Sequence, residues 1–211
     1  MNSTEELQRG CAQLGIALSA KEQDELMAYL VLLRKWNKVY NLTAICDEQQ
    51  MVSHHLLDSL AVTPHLWAGN WLDVGCGAGL PGIVMAIMRP DWRITLVDSN
   101  SKKTSFVQQA IIELDLQNAR VHCARVEDWK PAKKFDGIIS RAFSELRVFL
   151  HSTQHLVAKQ GRWVAMKGAP EQELMKVSGQ YRIEQVLPLQ VPGLNAARSL
   201  VIASCEESST A

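Results

Sequence analysis

Apolar residues recur along this chain with two different periods, and the change between them falls near residue 66. Before it the spacing is helical: Leu26, Leu30, Leu33 and Tyr40 share a face, with Trp36 beside it, which places Trp36 and Tyr40 on the buried side. Ser3-x-x-Glu6 and Ser19-x-x-Glu22 both read as capping boxes, in which serine and glutamate reciprocally satisfy free backbone N–H groups at a helix start. A further helix over 49–62 stops short of Pro64, because the residue before a proline avoids the helical region. From Trp71 onward, short apolar runs predict strands at 71–74, 93–98, 119–123 and 135–140. Helices are predicted at 83–88, 102–114 and 145–157, and three more strands at 162–166, 182–190 and 199–204. Strand–helix alternation closed by a strand pair implies an α/β fold, a mostly parallel seven-stranded sheet with an antiparallel edge. A helical annex over 1–66 precedes this unit over 67–211, and the polar 206–211 tail is expected to lack structure.

Composition narrows the class. No apolar run approaches the ~20 residues needed to span a bilayer, and the first ten residues show no signal-peptide pattern, so a cytoplasmic protein without membrane contact is expected. Cys11, Cys46, Cys76, Cys123 and Cys205 form no C-x-x-C pair, which predicts reduced thiols and no metal site. His151 and His155 have zinc-like spacing but no third ligand, and read as an exposed helix face. With 22 basic and 22 acidic residues the net charge is zero, which by itself argues against nucleic acid. The distribution is uneven: residues 89–167 hold 14 Lys and Arg against 8 Asp and Glu, which permits one basic face, although charge alone favours a solvated helical surface somewhat. Lys102, Lys103, Arg120, Arg125, Lys133 and Lys134 are its candidate phosphate contacts.

The chemistry concentrates in Asp73-Val-Gly-Cys-Gly-Ala-Gly79, directly after the first strand. Glycines there let the backbone turn sharply and approach a ligand at the carboxyl end of the sheet. Asp98 ends the next strand, at the offset of an acid that binds ribose hydroxyls. Gly77-Ala-Gly79-Leu-Pro-Gly82 also spells G-x-G-x-x-G, so a nicotinamide-linked oxidoreductase stays open. Asp73 two residues before the first glycine, however, resembles the first motif of the class I S-adenosylmethionine-dependent methyltransferases. After the fourth strand stands Ser140-Arg-Ala-Phe143, where enzymes that methylate exocyclic base amines carry Asn/Asp-Pro-Pro-Tyr/Phe. The Pro-Cys of pyrimidine C5 enzymes does not occur.

A closer resemblance rests on five stretches in order: Leu33-Arg-Lys-Trp-Asn-Lys-Val-Tyr-Asn-Leu-Thr43, His55-Leu-Leu-Asp-Ser59, residues 73–82, Phe135-Asp-Gly-Ile-Ile-Ser-Arg-Ala-Phe143 and Val191-Pro192. Together they resemble the bacterial small-subunit ribosomal RNA guanine-N7 methyltransferases, the glucose-inhibited division protein B family. The family commonly has arginine where this chain has His54. The resemblance implies S-adenosylmethionine as cofactor and small-subunit (16S) ribosomal RNA as partner, free or as ribonucleoprotein, bound by a monomer. It places Gly75, Leu80, Val126, Glu127 and Arg141 at the cofactor, beside Asp73, Gly77, Gly79 and Asp98, which follow from the general class I motif. Lys167 is similar to a family position at the cleft mouth, with a plain surface lysine as the other reading, while Lys102, Lys103 and Arg125 point toward RNA by their charge alone. A small-molecule methyltransferase is the alternative that suits the neutral net charge.

Guanine N7 carries an in-plane lone pair and no proton, so its methylation needs no base. Alignment alone can contribute roughly 7–11 kcal/mol. Arg141 is the candidate that positions guanine, since arginine is the commonest partner of guanine O6 and N7. Pairing of Arg141 with Asp73 or Asp136, to fix the loop, is the competing reading. Separately, His55 and Asp58 share a helix face and read either as a hydrogen-bonded pair at the cofactor pocket's edge or as helix capping or packing between the annex and the main domain.

Overall fold

Strands β1 (Asn70–Val74), β2 (Arg93–Asp98), β3 (Ala119–Cys123), β4 (Phe135–Ser140), β5 (Val157–Lys167), β6 (Tyr181–Leu189) and β7 (Arg198–Cys205) form one sheet in the order β3-β2-β1-β4-β5-β7-β6. These come from a computed structural model describing residues 2–206 apart from Ala142, Ser144 and Ser178; the rest of the expected tail, 207–211, lies outside the described residues. The first five strands pair in parallel, and β7 joins β5 and β6 antiparallel, as the terminal strand pair predicts. Helices are α1 (Ser3–Gln13), α2 (Ala20–Tyr40), α3 (Glu48–Met51), α4 (Asp58–Leu60), α5 (Gly82–Met88), α6 (Ser101–Glu113), α7 (Leu146–Thr153) and α8 (Glu171–Leu174). β1 is buried from Trp71 to Val74 because helices cover both faces, which is why it reads as an unbroken apolar run.

Successive strands run outward from β1 through β2 to β3, and the chain then returns to the other side of β1 to form β4. That reversal opens a crevice at the carboxyl ends of β1 and β4, where open α/β sheets bind ligands. On one face, Leu7, Leu30 and Leu33 of the annex share a core with Trp71, Ile83 and Phe106, so one apolar cluster runs from annex to sheet. On the other face Phe149 and Leu150 of α7 pack against Leu72, Ile138 and Trp163.

Several local expectations are corrected. Ser19 and Glu22 cap α2 as predicted, but α1 is capped by Asn2 and Glu5. Ser3 is already helical and donates its hydroxyl to Glu48 at 2.9 Å, so it cannot serve as the cap. Tyr40 is 43% exposed rather than buried, resting against Trp36 with ring centroids 5.2 Å apart. The 49–62 helix is interrupted: Val52–Leu57 between α3 and α4 is π-helical, a wide turn found mostly at functional sites. The helix after β4 ends at Thr153, because the chain tightens into a 3-10 turn (Gln154–Leu156) before β5 starts at Val157. Pro188 is accommodated in β6 because this strand lies at the sheet's edge. Among the described residues no helix is long and apolar enough to cross a membrane.

Candidate functional site

The loop leaving β1 is hung from β2. Gly75 and Cys76 donate their N–H groups to the Val97 carbonyl at 2.8 and 3.1 Å, and Gly77 donates to Asp98 Oδ2 at 2.9 Å. Asp98 Oδ1 accepts from Asn100 N at 2.8 Å, which aims the half-buried carboxylate along the loop. Gly75 has φ +65° and a Cβ built there would meet nothing within 4 Å, so any side chain would be strained and would project into the space above the loop. That space is a cavity of about 430 Å³, lined among others by Gly75, Asp98, Lys103, Arg125, Val126 and Glu127.

Below the loop lies a polar support. Asp73 is fully buried, and its Oδ2 accepts from Gly82 N at 2.8 Å. Position 82 must be glycine, since a Cβ would come within 2.8 Å of that oxygen and 2.6 Å of Leu96 Cδ2. Asp73 Oδ1 has no hydrogen-bond partner among the described residues. Burial therefore pushes the Asp73 carboxyl up from 3.8 to about 7, against the opposing pull of the Gly82 N–H and of Arg141. From the annex, Tyr29 donates its buried hydroxyl to the Ala78 carbonyl at 2.7 Å, tying α2 to the loop. Ser140 at the end of β4 donates to the Val74 carbonyl at 2.8 Å, holding the end of β4 against the loop's start.

A second cavity, of about 390 Å³, opens beside Arg141 and is lined by Thr43, His55, Asp58, Lys167 and Arg198 as well. Its centre is Asp58, with a side chain only 2% exposed. Asp58 Oδ1 accepts from Arg198 Nε at 2.9 Å, and Oδ2 stands 3.6 Å from an Arg141 guanidinium nitrogen. Arg141 also donates to the His54 carbonyl of the π-helical turn at 3.0 Å. His55 lies 3.1 Å (Nε2) from the Thr43 hydroxyl, with Nδ1 lacking a partner among the described residues. Burial and the Arg141 charge pull its imidazole from 6.5 down to about 4, so it is neutral at pH 7. Both sequence-based pairings are thus replaced: Asp58 holds arginines rather than His55, and Arg141 pairs with Asp58 rather than Asp73 or Asp136, because the wide turn brings Asp58 to the end of β4.

These two titrations oppose each other. The raised Asp73 carboxyl contributes stability below its unfolded value of 3.8 that is lost as pH rises through about 7. The depressed His55 contributes stability above its unfolded value of 6.5 that is lost as pH falls through about 4. Between pH 5 and 7 the slopes offset, and the parent chain should melt at a nearly constant temperature. Asp73→Asn removes one slope, so its melting temperature relative to the parent is expected to climb by roughly 4–8 °C across that interval, from about 2 kcal/mol. Parallel melting profiles for parent and variant would contradict the raised carboxyl.

Residues 22–201 match the family described as rRNA small subunit methyltransferase G. The chain belongs to that family. The ribosomal RNA small subunit methyltransferase G of Laribacter hongkongensis (strain HLHK9) is 50% identical over 202 residues, covering 95% of this chain and 98% of that protein. The protein of the same name in Pseudomonas aeruginosa (strain UCBPP-PA14) is 51% identical over 203 residues, covering 95% of each. Among solved structures, the glycopeptide N-methyltransferase MtfA superposes with a TM-score of 0.58 at 12% identity, over 70% of this chain and 95% of that one. The N-methyltransferase NodS of Bradyrhizobium japonicum WM9, in complex with S-adenosyl-L-homocysteine, gives 0.54 at 15% identity, over 85% and 98%. At these identities the structures establish the fold, that of the class I methyltransferases.

Of the family residues expected at the cofactor, Gly75, Asp98, Val126 and Glu127 line the first cavity. Asp73, Gly79 and Leu80 are buried and absent from its wall, while Gly77 donates its N–H to Asp98. Arg141 belongs to the second cavity. Lys103 and Arg125, expected toward RNA, line the first cavity as well, and Lys102 is exposed beside it. Lys167 lines the second cavity, where it donates to the Phe143 carbonyl at 2.9 Å, pairs with Glu173 at 2.8 Å and has a 9% exposed side chain. Its charge is thereby tied to Glu173 and to the Phe143 carbonyl. Tyr29 and Arg198 escape sequence reasoning. Nothing near either marks it locally, since Tyr29 acts 49 residues away and Arg198 acts 140 residues away.

Proposed function

We propose that this chain transfers the methyl group of S-adenosylmethionine to N7 of a guanine in small-subunit (16S) ribosomal RNA, acting as a monomer in the cytoplasm on free or partly assembled RNA. The observation that carries the reading is the adjacency of two cavities at the carboxyl end of β4, Phe143 lining one and Arg141 the other. The first fits the cofactor, because open space stands where a side chain at Gly75 would be. When bound there, S-adenosylmethionine supplies a methyl group on a cationic sulfur. Asp98 offers carboxylate lone pairs to ribose hydroxyls, while Val126 and Glu127 flank the adenine.

The second cavity suits an acceptor that needs no deprotonation. His55, held neutral and already beside the Thr43 hydroxyl, is not required to take a proton. Asp58 holds Arg141 and Arg198 as a pair, so their guanidinium groups are oriented before RNA arrives. N7 must present its lone pair to the methyl group, so an arginine can hold only O6 or a phosphate during transfer. Partial neutralisation of the pair by Asp58 also eases the positive charge that develops on the purine.

Mapping N7-methylguanine in small-subunit ribosomal RNA from cells with and without this protein tests the substrate; no missing methyl mark would overturn it. Purified Arg141→Ala is expected to methylate native substrate about 100-fold more slowly, the scale of a misplaced reactant. A full methylation rate in that variant would remove Arg141 from the proposed site.

A further inference from the structure

The basic residues of 89–167 divide into two groups that the sheet holds apart. Lys102, Lys103 and Arg125 stand at the carboxyl ends of β2 and β3, around the cofactor cavity. Arg93, Arg120, Lys133 and Lys134 gather at the opposite, amino ends of the strands, around a separate cavity of about 700 Å³. Arg93 opens β2, Arg120 is the second residue of β3, and the lysines immediately precede β4. All four are exposed, and none forms a recorded ion pair among the described residues. The acid in this groove, Asp136, already accepts from Asn70 N at 2.8 Å with one oxygen. The local charge is therefore strongly positive on a chain whose total is zero.

The groove also has an aromatic wall. Arg120 and His122 are two apart on β3 and so share a face of the sheet, and the Trp129 ring stands over His122 with centroids 5.1 Å apart. Exposed cations beside rings form the surface that single-stranded or looped RNA uses, its phosphates on the cations and a base or sugar against the ring. Because β3 is the edge strand, no further strand separates this groove from the cofactor end. Five residues of strand span about 17 Å, so one RNA segment running along the edge can reach both basic groups.

We propose that the Arg93–Arg120–Lys133–Lys134 groove is a second RNA-backbone contact, which anchors small-subunit ribosomal RNA away from the methylated base. This rests on the proposed ribosomal RNA substrate. The groove raises affinity and sets the orientation of the RNA while taking no part in transfer. Phosphate contacts of this kind release counterions, so each one removed lowers the salt slope of binding by about 0.7–0.9.

The test is a triple substitution, Arg120→Gln, Lys133→Gln and Lys134→Gln, in the full chain, with binding to purified small-subunit RNA measured from 50 to 200 mM salt. The expected results are a weaker complex, a log–log salt slope shallower by about two to three, a raised KM for RNA, and unchanged calorimetric affinity for S-adenosylhomocysteine. An unchanged slope with intact folding overturns the groove. Weakened binding to assembled subunits with unchanged binding to naked RNA also overturns it, since the partner would then be a ribosomal protein. If the parent chain itself leaves small-subunit RNA unmethylated, the substrate assignment fails, and that failure is distinct from a groove variant behaving as the parent does.

Discussion

Asp58→Ala is expected to lower the melting temperature by roughly 10 °C and methylation by at least about 100-fold. Asp58 is the single carboxylate between Arg198 at 2.9 Å and Arg141 at 3.6 Å, and its own side chain is almost wholly buried. Removing it leaves two guanidinium groups without their counter-ion, a change that costs about 3–5 kcal/mol when the pair is fully buried. The arginine side chains are 25% and 27% exposed, so water recovers part of this and the lower end applies. The larger effect is on catalysis, because both arginines lose the anchor that aims them into the second cavity. Asp58→Asn keeps an acceptor for Arg198 Nε and should restore much of the stability and less of the rate. Affinity for S-adenosylhomocysteine should stay near that of the parent, since Asp58 does not line the first cavity, where the cofactor is proposed to bind. An alanine variant that melts within ~2 °C of the parent and methylates at its rate would dismiss the arginine anchor.

Asp98→Ala should weaken calorimetric binding of S-adenosylhomocysteine by about 100-fold or more. A carboxylate accepting two ribose hydroxyls makes two charge-assisted hydrogen bonds, each contributing about 1.5–3 kcal/mol. The same substitution takes the acceptor from Gly77 N and Asn100 N, so the glycine loop loses its tie to β2. Asp98→Asn narrows the change: its amide oxygen can still accept from Gly77, so the losses are the charge and the acceptor for Asn100 N. Parent-like affinity in Asp98→Asn would mean that the carboxylate serves the loop and not the ribose.

The parts of the fold that were legible beforehand are those whose pattern is local. All seven strands were readable because each is a short apolar run between turns, and β2, β3 and β4 begin and end at the predicted residues. Ser19 with Glu22 announced the start of α2 because a capping box is complete within four residues. The same rule erred at α1, where two boxes are offset by one residue and the Ser3 hydroxyl is given to a distant partner, Glu48. The π-helical turn over Val52–Leu57 was invisible, since its widening is stabilised by what surrounds it rather than by the identity of its residues.

The site divides the same way. Local order along the chain was enough to place a nucleotide-type loop after β1, an acid after β2 and the arginine after β4, since strand ends of a parallel sheet meet at one edge. Only the folded chain shows which of these line a cavity. Asp73 turns beneath the loop toward Gly82, Lys167 is drawn to Glu173, and Arg141 meets Asp58 and the neighbouring Arg198. Charge count along the chain likewise marked residues 89–167 as basic, but the sheet sends its cations to two opposite ends. Backbone periodicity and turn chemistry act over a few residues and can be read from the order of amino acids. Ion pairs, loop supports and cavities join residues tens of positions apart, and only packing brings them within reach of one another.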